Sequence, residues 1–298
     1  MFKNMGRFEY TRLIYTFQSE KDISKINCFE NLIRGSLGFY LHQELCFCRK
    51  KTHDQDCLYG LIFEPTQMKE VKLSQGHLYL PRPFVQYARL GHSKFCKLEI
   101  TLFGNAKKYI DPIHYCIEQM IAKGIGEEKL KFKVVSVFHN NEDIYVAEIK
   151  DLKRVEFGKI FSPKLDSTNL KITFETPCWL TNSGRPLLTF EIKPFLSTLI
   201  SRLNNLSVIY QNQDHIFNDE ILDDSSLASI QVEPNILYVD RARYSFRQEQ
   251  KIPIGGFVGD VVLKNVPQAL LPIIELGEIC FVGKKTTLGN GKIFVETL

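Results

Sequence analysis

The run Gly255-Gly-Phe-Val-Gly-Asp-Val-Val-Leu-Lys264, then Pro267-Gln-Ala-Leu-Leu-Pro-Ile-Ile-Glu-Leu-Gly277, then Phe281-Val-Gly-Lys-Lys-Thr-Thr-Leu-Gly-Asn-Gly-Lys-Ile293, decides how this chain reads. It predicts a strand at Phe257–Lys264, a helix at Pro267–Leu276 with proline in its first turn, a glycine-rich loop, and a last strand at Lys292–Glu296. Glycine allows positive φ and close backbone approach. Exposed backbone N–H groups beside Lys284 and Lys285 form an anion site. The loop is therefore predicted to hold a nucleic-acid backbone.

Working outward, the rest of the second half supplies a strand at Lys171–Leu180, a helix at Phe190–Leu206, and a strand at Ile236–Ser245 paired with Phe257–Lys264. The acidic, Asn/Asp/Ser-rich stretch Asn212–Ser229 reads as a surface insertion. The first half follows the same plan. A strand at Phe8–Phe17 leads to a helix capped by Asn27, with Glu30 three residues on, that runs to about Phe47. Strands are predicted at Leu58–Phe63, His77–Tyr87 and Lys97–Phe103, with Pro81 and Pro83 confining the middle one to an edge. A helix at Lys107–Lys123, the turn Gly124-Ile-Gly126, a strand at Leu130–Phe138 and a short strand at Tyr145–Ile149 complete it. Each half reads β-α-β-β-α-β. The predicted fold is α+β, two tandem ferredoxin-like domains of the RAMP/RRM type, over 1–155 and 166–298, with the boundary near Asp151–Asp166.

Composition sets the class. At 298 residues, 44% hydrophobic and 24% charged, the chain has room for two globular domains. No apolar run reaches the roughly 20 residues of a membrane helix, and Met1–Arg7 lacks the apolar stretch of a secretion signal, so a cytoplasmic location is expected. The eight cysteines are scattered, with Cys96, Cys116, Cys178 and Cys280 in apolar patterns, as expected of reduced core thiols. The net charge of +4 permits a nucleic-acid partner without demanding one.

Further stretches complete a resemblance. Ile33-Arg-Gly-Ser-Leu-Gly38, Leu80-Pro-Arg-Pro-Phe84 and Arg243-Tyr-Ser-Phe-Arg-Gln248, with the glycine-rich tail, occur in the order seen in the CRISPR-associated RNA-processing endoribonucleases of the Cas-six branch of the RAMP superfamily, which this chain resembles from about Asn31 to Glu296. The resemblance implies an endoribonuclease that cuts precursor CRISPR RNA once per repeat without metal. The upstream 2′-hydroxyl attacks the scissile phosphate, leaving a 2′,3′-cyclic phosphate and a 5′-hydroxyl. Implied partners are the CRISPR repeat RNA and an effector complex that receives the product; the chain itself is a monomer or homodimer, and no cofactor is implied. The alternative is a non-catalytic RAMP subunit that binds guide RNA in an effector complex, which the same fold and loop would serve. A ferredoxin-like protein that binds another polyanion is a third reading.

Metal-free cleavage needs a base, an acid, and positive charge at the phosphate. In the family the catalytic histidine lies at or just after the end of the first helix, which here points to His42 and His53. His42 is favoured because it shares a helix face with Asn31, Gly35 and Gly38, and glycines on a helix face let another group come close. The ordinary reading of His42 is a surface or capping residue, and of His53 a solvated loop residue. Tyr40 is the nearest assisting tyrosine, although its phase with Ile33 and Leu37 favours the core. Lys50 and Lys51 could stabilise the phosphate or form a solvated basic turn. Cys46-x-Cys48 with His53 and Cys57 resembles a ligand set, but its one-residue gap departs from the usual zinc pairs, so no metal is expected.

For RNA binding, Arg241, Arg243, Ser245 and Arg247 share one face of a strand, as a phosphate track would require. Arg34 and Arg82 are lesser candidates. In the loop, Gly283, Lys284, Lys285, Thr286, Thr287, Gly289 and Gly291 are expected to meet the backbone; the plain alternative is a tight connection needed only for packing.

Overall fold

The computed structural model describes residues 8–26, 28–50, 53–65, 80–140, 142–144, 157–182, 184–245 and 250–298. The chain forms two compact units, one over Arg7–Ile160 with Val208–Asn212 and one over Phe161–Ser207 with Gln213–Leu298.

In the first unit, β1 (Glu9–Ser19) alternates strictly, placing Leu13, Tyr15 and Phe17 on the buried side. Helix α1 (Phe29–Leu45) and a six-residue helix, α2 (Leu58–Phe63), follow. Next come β2 (Phe84–Leu90), β3 (Phe95–Phe103), a 3₁₀ turn at Gly104–Tyr109, α3 (Ile110–Lys123) and β4 (Phe132–His139), with short strands β5 (Glu142–Asp143) and β6 (Lys159–Ile160). All pairings are antiparallel, in the order β2-β3-β1-β4-β5, with β6 on β1. The first, third and second strands adjacent, and the last beside the first, is the ferredoxin-like order. β2 is an edge strand, and it begins only at Phe84, so Pro81 and Pro83 precede it rather than lying within a strand as expected for His77–Tyr87. Ile33, Leu37, Tyr40, Leu41 and Leu45 of α1 are buried, and so are Ile113, Ile117 and Ile121 of α3. The Tyr40 hydroxyl donates to the Gly124 carbonyl (3.2 Å), tying α1 to the turn after α3.

The second unit repeats the order with β7 (Leu170–Cys178), a hairpin of β8 (Thr181–Asn182) and β9 (Arg185–Pro186), and α4 (Ile192–Tyr210), whose last residues from Val208 are counted with the first unit. A short helix α5 (Asp224–Ala228) precedes β10 (Gln231–Val239). A hairpin of β11 (Ala242–Ser245) and β12 (Gln250–Pro253) leads to β13 (Gly256–Lys264), α6 (Leu271–Cys280) and β14 (Ile293–Thr297). Its sheet runs β10-β13-β7-β14. Phe174, Phe190, Phe195 and Phe257 form its aromatic core, with Phe174 edge-on to Phe257 at 4.9 Å. The buried Glu275 of α6 accepts from the backbone N–H groups of Lys164 and Leu165 (2.8 and 3.3 Å), so its charge is hydrogen-bonded rather than stranded.

Four expectations need correction. Leu58–Phe63 is a helix, not a strand: Tyr59 and Phe63, one helical turn apart, bury the same face. The stretch predicted as one strand at Ile236–Ser245 is split, with β10 ending at Val239 and the hairpin beginning at Ala242. The last helix starts after a 3₁₀ turn at Gln268–Leu270, so Pro272 rather than Pro267 occupies its first turn. The acidic stretch is only partly a surface feature: Ile216, Phe217, Leu222 and Leu227 are buried, and the Asn204 side chain brackets Phe217, donating to its carbonyl and accepting from its N–H. The position before α1 is Cys28 in the left-handed region with no side-chain cap bond; Asn27 lies outside the described residues. The strand expected at Tyr145–Ile149 also lies outside them.

Candidate active site and nucleic-acid interface

The end of α1 and the whole of α2 build the first candidate site. His42 lies one turn before the end of α1 and is exposed. Its ring meets Tyr59 of α2 edge-on, centroids 4.8 Å apart, and lies 6.2 Å from the ring of His53. Tyr59 is itself fixed: its hydroxyl donates to Glu64 Oε1 (3.0 Å), and its ring packs on Phe63. Tyr59, Phe63 and Glu64 were not singled out from the sequence, because Leu58–Phe63 reads as a strand. The Tyr59/Phe63 spacing of four was the available signal.

Gly38 does admit a close neighbour, and that neighbour is Phe63: a Cβ at Gly38 would lie 2.5 Å from the ring. Arg34 and Arg82 both place their guanidinium groups by that ring, at 4.7 and 5.6 Å, and Arg82 Nε donates to the Phe63 carbonyl (2.6 Å). The glycine face of α1 is thus partly a seat for α2. Gly35 has open space beside it and lines a shallow depression with Ser36, Phe39, Gly124, Gly126 and Lys129.

His53 is buried, not a solvated loop residue. Its Nδ1 is 3.5 Å from Cys46 Sγ, 3.2 Å from Cys48 Sγ and 3.7 Å from Cys57 Sγ, and its Nε2 is 3.6 Å from Glu64 Oε2. Backbone N–H groups of Lys50 and Asp54 point at Cys48 and, with His53, hold its thiol down to about 6; burial pushes the neighbouring Cys46 up to about 11. Lys50 Nζ is exposed and spent on Asp54 at 2.8 Å. Tyr40 is in the core, and Lys51 lies outside the described residues. Of the other histidines, His114 and His139 have structural partners, the Tyr15 hydroxyl and the Arg12 carbonyl, each at 3.1 Å.

The glycine-rich loop, in the second unit, is more self-contained than its composition implies. Val282 N–H donates to the Gly291 carbonyl (2.8 Å), Lys284 N–H to Trp179 (3.0 Å), Gly291 N–H to Pro177 (3.0 Å), and Thr176 Oγ1 to Gly289 (2.6 Å). Gly283, Gly289 and Gly291 all have positive φ, and a Cβ on Gly291 would collide with the Val282 carbonyl. Thr286 and Thr287 are buried, and Lys285 Nζ sits 3.7 Å from the centre of the Trp179 ring. Lys284 is the exposed lysine of the pair. Arg241 is exposed just before β11; Arg243 pairs with Ile252 in the β11–β12 hairpin, and Arg247 lies outside the described residues. All eight cysteines are free thiols, and Cys96, Cys116, Cys178 and Cys280 are buried, consistent with reduced core residues.

Residues 8–156, half of the chain, match the AF_1859_N family model, described as an N-terminal domain. Residues 172–293 match the model described as CRISPR-associated endoribonuclease Cas6. No curated protein matches the sequence. Among solved structures, the Cas6 (TTHB231) product complex is similar at 14% identity and a TM-score of 0.57, covering 96% of this chain and 100% of that one. The Cas6 (TTHA0078) product complex is similar at 15% identity and a TM-score of 0.52, covering 97% and 100%. Thermus thermophilus Cas6 (TTHB231) matches at 13% identity and a TM-score of 0.51, covering 97% and 99%. At these identities the structural likeness speaks for the fold, the tandem ferredoxin-like plan seen here. The family match over residues 172–293 shows that this chain carries a domain of the Cas6 family of CRISPR-associated endoribonucleases.

Proposed function

We infer that this endoribonuclease cuts precursor CRISPR RNA within its repeats by 2′-hydroxyl attack on the scissile phosphate, with no catalytic metal, leaving a 2′,3′-cyclic phosphate and a 5′-hydroxyl. The observation that carries the reading is His42, an exposed imidazole at the end of α1 whose ring is braced by Tyr59. Imidazole titrates near neutrality, so one such group can take the 2′-hydroxyl proton or give one to the leaving 5′-oxygen. His53 is assigned no part in proton transfer, because it is buried with its Nδ1 among three sulfurs.

Charge for the RNA backbone is assigned to Arg241 and Arg243 at the β11–β12 hairpin, to Arg247 and to Lys284 in the loop, with Arg34 a lesser contributor. The domains are taken as 1–155 and 166–298, and the product RNA as passing to an effector complex. Two of the similar structures are product complexes of Cas6.

The test is cleavage of the cognate repeat RNA in buffer free of divalent ions, with the ends of the products identified. Cutting that leaves a cyclic phosphate, lost in His42→Ala while RNA affinity holds, is the expected result. Binding without any cutting by the wild type would place the chain with the RNA-binding RAMP subunits instead. A His42→Ala variant that still cuts would remove His42 from the chemistry.

A further inference from the structure

We propose that Cys46, Cys48, His53 and Cys57 bind one zinc ion in a closed, structural site that staples the end of α1 to the start of α2. The four ligand atoms all lie within 4.8 Å of one another. A tetrahedral zinc with sulfur at about 2.3 Å and nitrogen at about 2.0–2.1 Å places sulfurs about 3.8 Å apart and sulfur about 3.5 Å from nitrogen. The observed separations are 3.7 Å for Cys46 Sγ to Cys48 Sγ, and 3.5, 3.2 and 3.7 Å from His53 Nδ1 to Cys46, Cys48 and Cys57. The side chains therefore already sit near the corners of the coordination polyhedron.

The hydrogen-bond chemistry points the same way. A neutral imidazole nitrogen has one lone pair and accepts from one S–H donor. Three sulfurs gathered around one nitrogen over-supply that acceptor, and thiols are weak donors. A shared cation satisfies all four groups together. His53 Nε2 faces Glu64 at 3.6 Å, and Glu64 is held by the Tyr59 hydroxyl, which is the carboxylate–histidine arrangement that orients a ligand histidine and fixes its tautomer. Arg49 adopts φ 50°, reversing the chain between Cys48 and His53.

The spacing fits the local structure. Cys46 caps the C-terminus of α1, and Cys57 precedes the first residue of α2. With Cys46 and Cys48 both turned inward, Phe47 between them is left 85% exposed. A six-residue helix is too short to be stable by itself. Binding energy at its N-terminus would hold α2, and with it Tyr59, which braces His42. The ion thus serves the active site by position, without touching the RNA.

The experiment uses the full chain purified under reducing conditions and needs no RNA, so its outcome is independent of the cleavage reading. About one equivalent of zinc per chain by elemental mass spectrometry is expected, and cobalt(II) in its place should give the visible bands of a tetrahedral thiolate site. Cys48→Ser and His53→Ala should each lose zinc affinity by about tenfold or more and lower the melting temperature by about 5 °C or more. Cys28→Ser, at an exposed cysteine outside the cluster, should keep the full equivalent. Should a ligand variant fail to fold, the cobalt spectrum of the wild type still decides. A wild type that takes up no zinc(II), an octahedral cobalt spectrum, a disulfide among the four cysteines, or undiminished zinc in both ligand variants would overturn the site.

Discussion

Two connections in this protein follow a helix and look alike on paper: Cys46–Cys57 after α1 and Phe281–Lys292 after α6. Both are short, polar and basic, and both invite a functional reading. Their internal physics differs. The glycine-rich loop hydrogen-bonds to its own strands through Val282, Lys284, Gly289 and Gly291 and buries its threonines. The cysteine connection turns four soft donor groups toward a common centre and leaves an exposed histidine on the helix before it. A loop satisfied by its own backbone is mainly a structural device. A loop whose side chains converge on a point is arranged for a ligand. The difference separates a turn closed on its own backbone from a turn whose side chains converge on one centre.

The comparison can be broken most sharply at His42. His42→Ala is expected to slow repeat cleavage by about 10²–10⁴-fold with RNA affinity largely kept, measured in single-turnover assays and by filter binding. A comparable fall in affinity would make His42 a binding group. Gly291→Ala comes next. Its φ of 75° and the collision with the Val282 carbonyl should cost about 3 kcal/mol or more, read as lost folded protein or a large drop in melting temperature. A near-neutral result would show that the loop is looser than its hydrogen bonds state.

Gly38→Ala should be milder. Alanine gains about 1 kcal/mol of helix propensity, but its Cβ meets the Phe63 ring, whose freedom to move is limited by Arg34 and Arg82. A net loss of about 1–2 kcal/mol is expected from thermal or urea unfolding. The cleavage rate should also fall, because α2 carries Tyr59. A stabilised variant would mean that Phe63 yields. The smallest effect is at Lys284. Lys284→Ala should weaken RNA binding slightly and reduce the salt slope by about 1, measured by titration at several salt concentrations. An unchanged slope would leave the loop with a packing role alone.

The ferredoxin-like plan was legible because it rests on periodicity. The alternation of β1 and the spacing of Ile33, Leu37 and Leu41 or Ile113 and Ile117 report a buried side directly. The error at Leu58–Phe63 came where a short apolar run carries too few turns to show its period. The candidate site was half legible. His42 stands out by type and position. Tyr59 and Glu64 were hidden behind the wrong element, and the cysteines were discounted for their spacing in sequence, although a metal responds to spacing in three dimensions.

What the sequence by itself determined is the two-fold βαββαβ plan, the family and the short list of histidines, since hydrophobic period, glycine position and motif order are properties of the chain read along its length. Only the tertiary structure decided that Gly38 admits Phe63, that Thr286 and Thr287 are inside, and that three cysteines and His53 face one another. The physical reason is that burial and ligand geometry depend on where the chain returns. A turn at Arg49 and a second at Asp54–Cys57, where the Cys57 N–H donates to the Asp54 carbonyl, bring Cys57 back to Cys46, and no linear spacing rule contains that return.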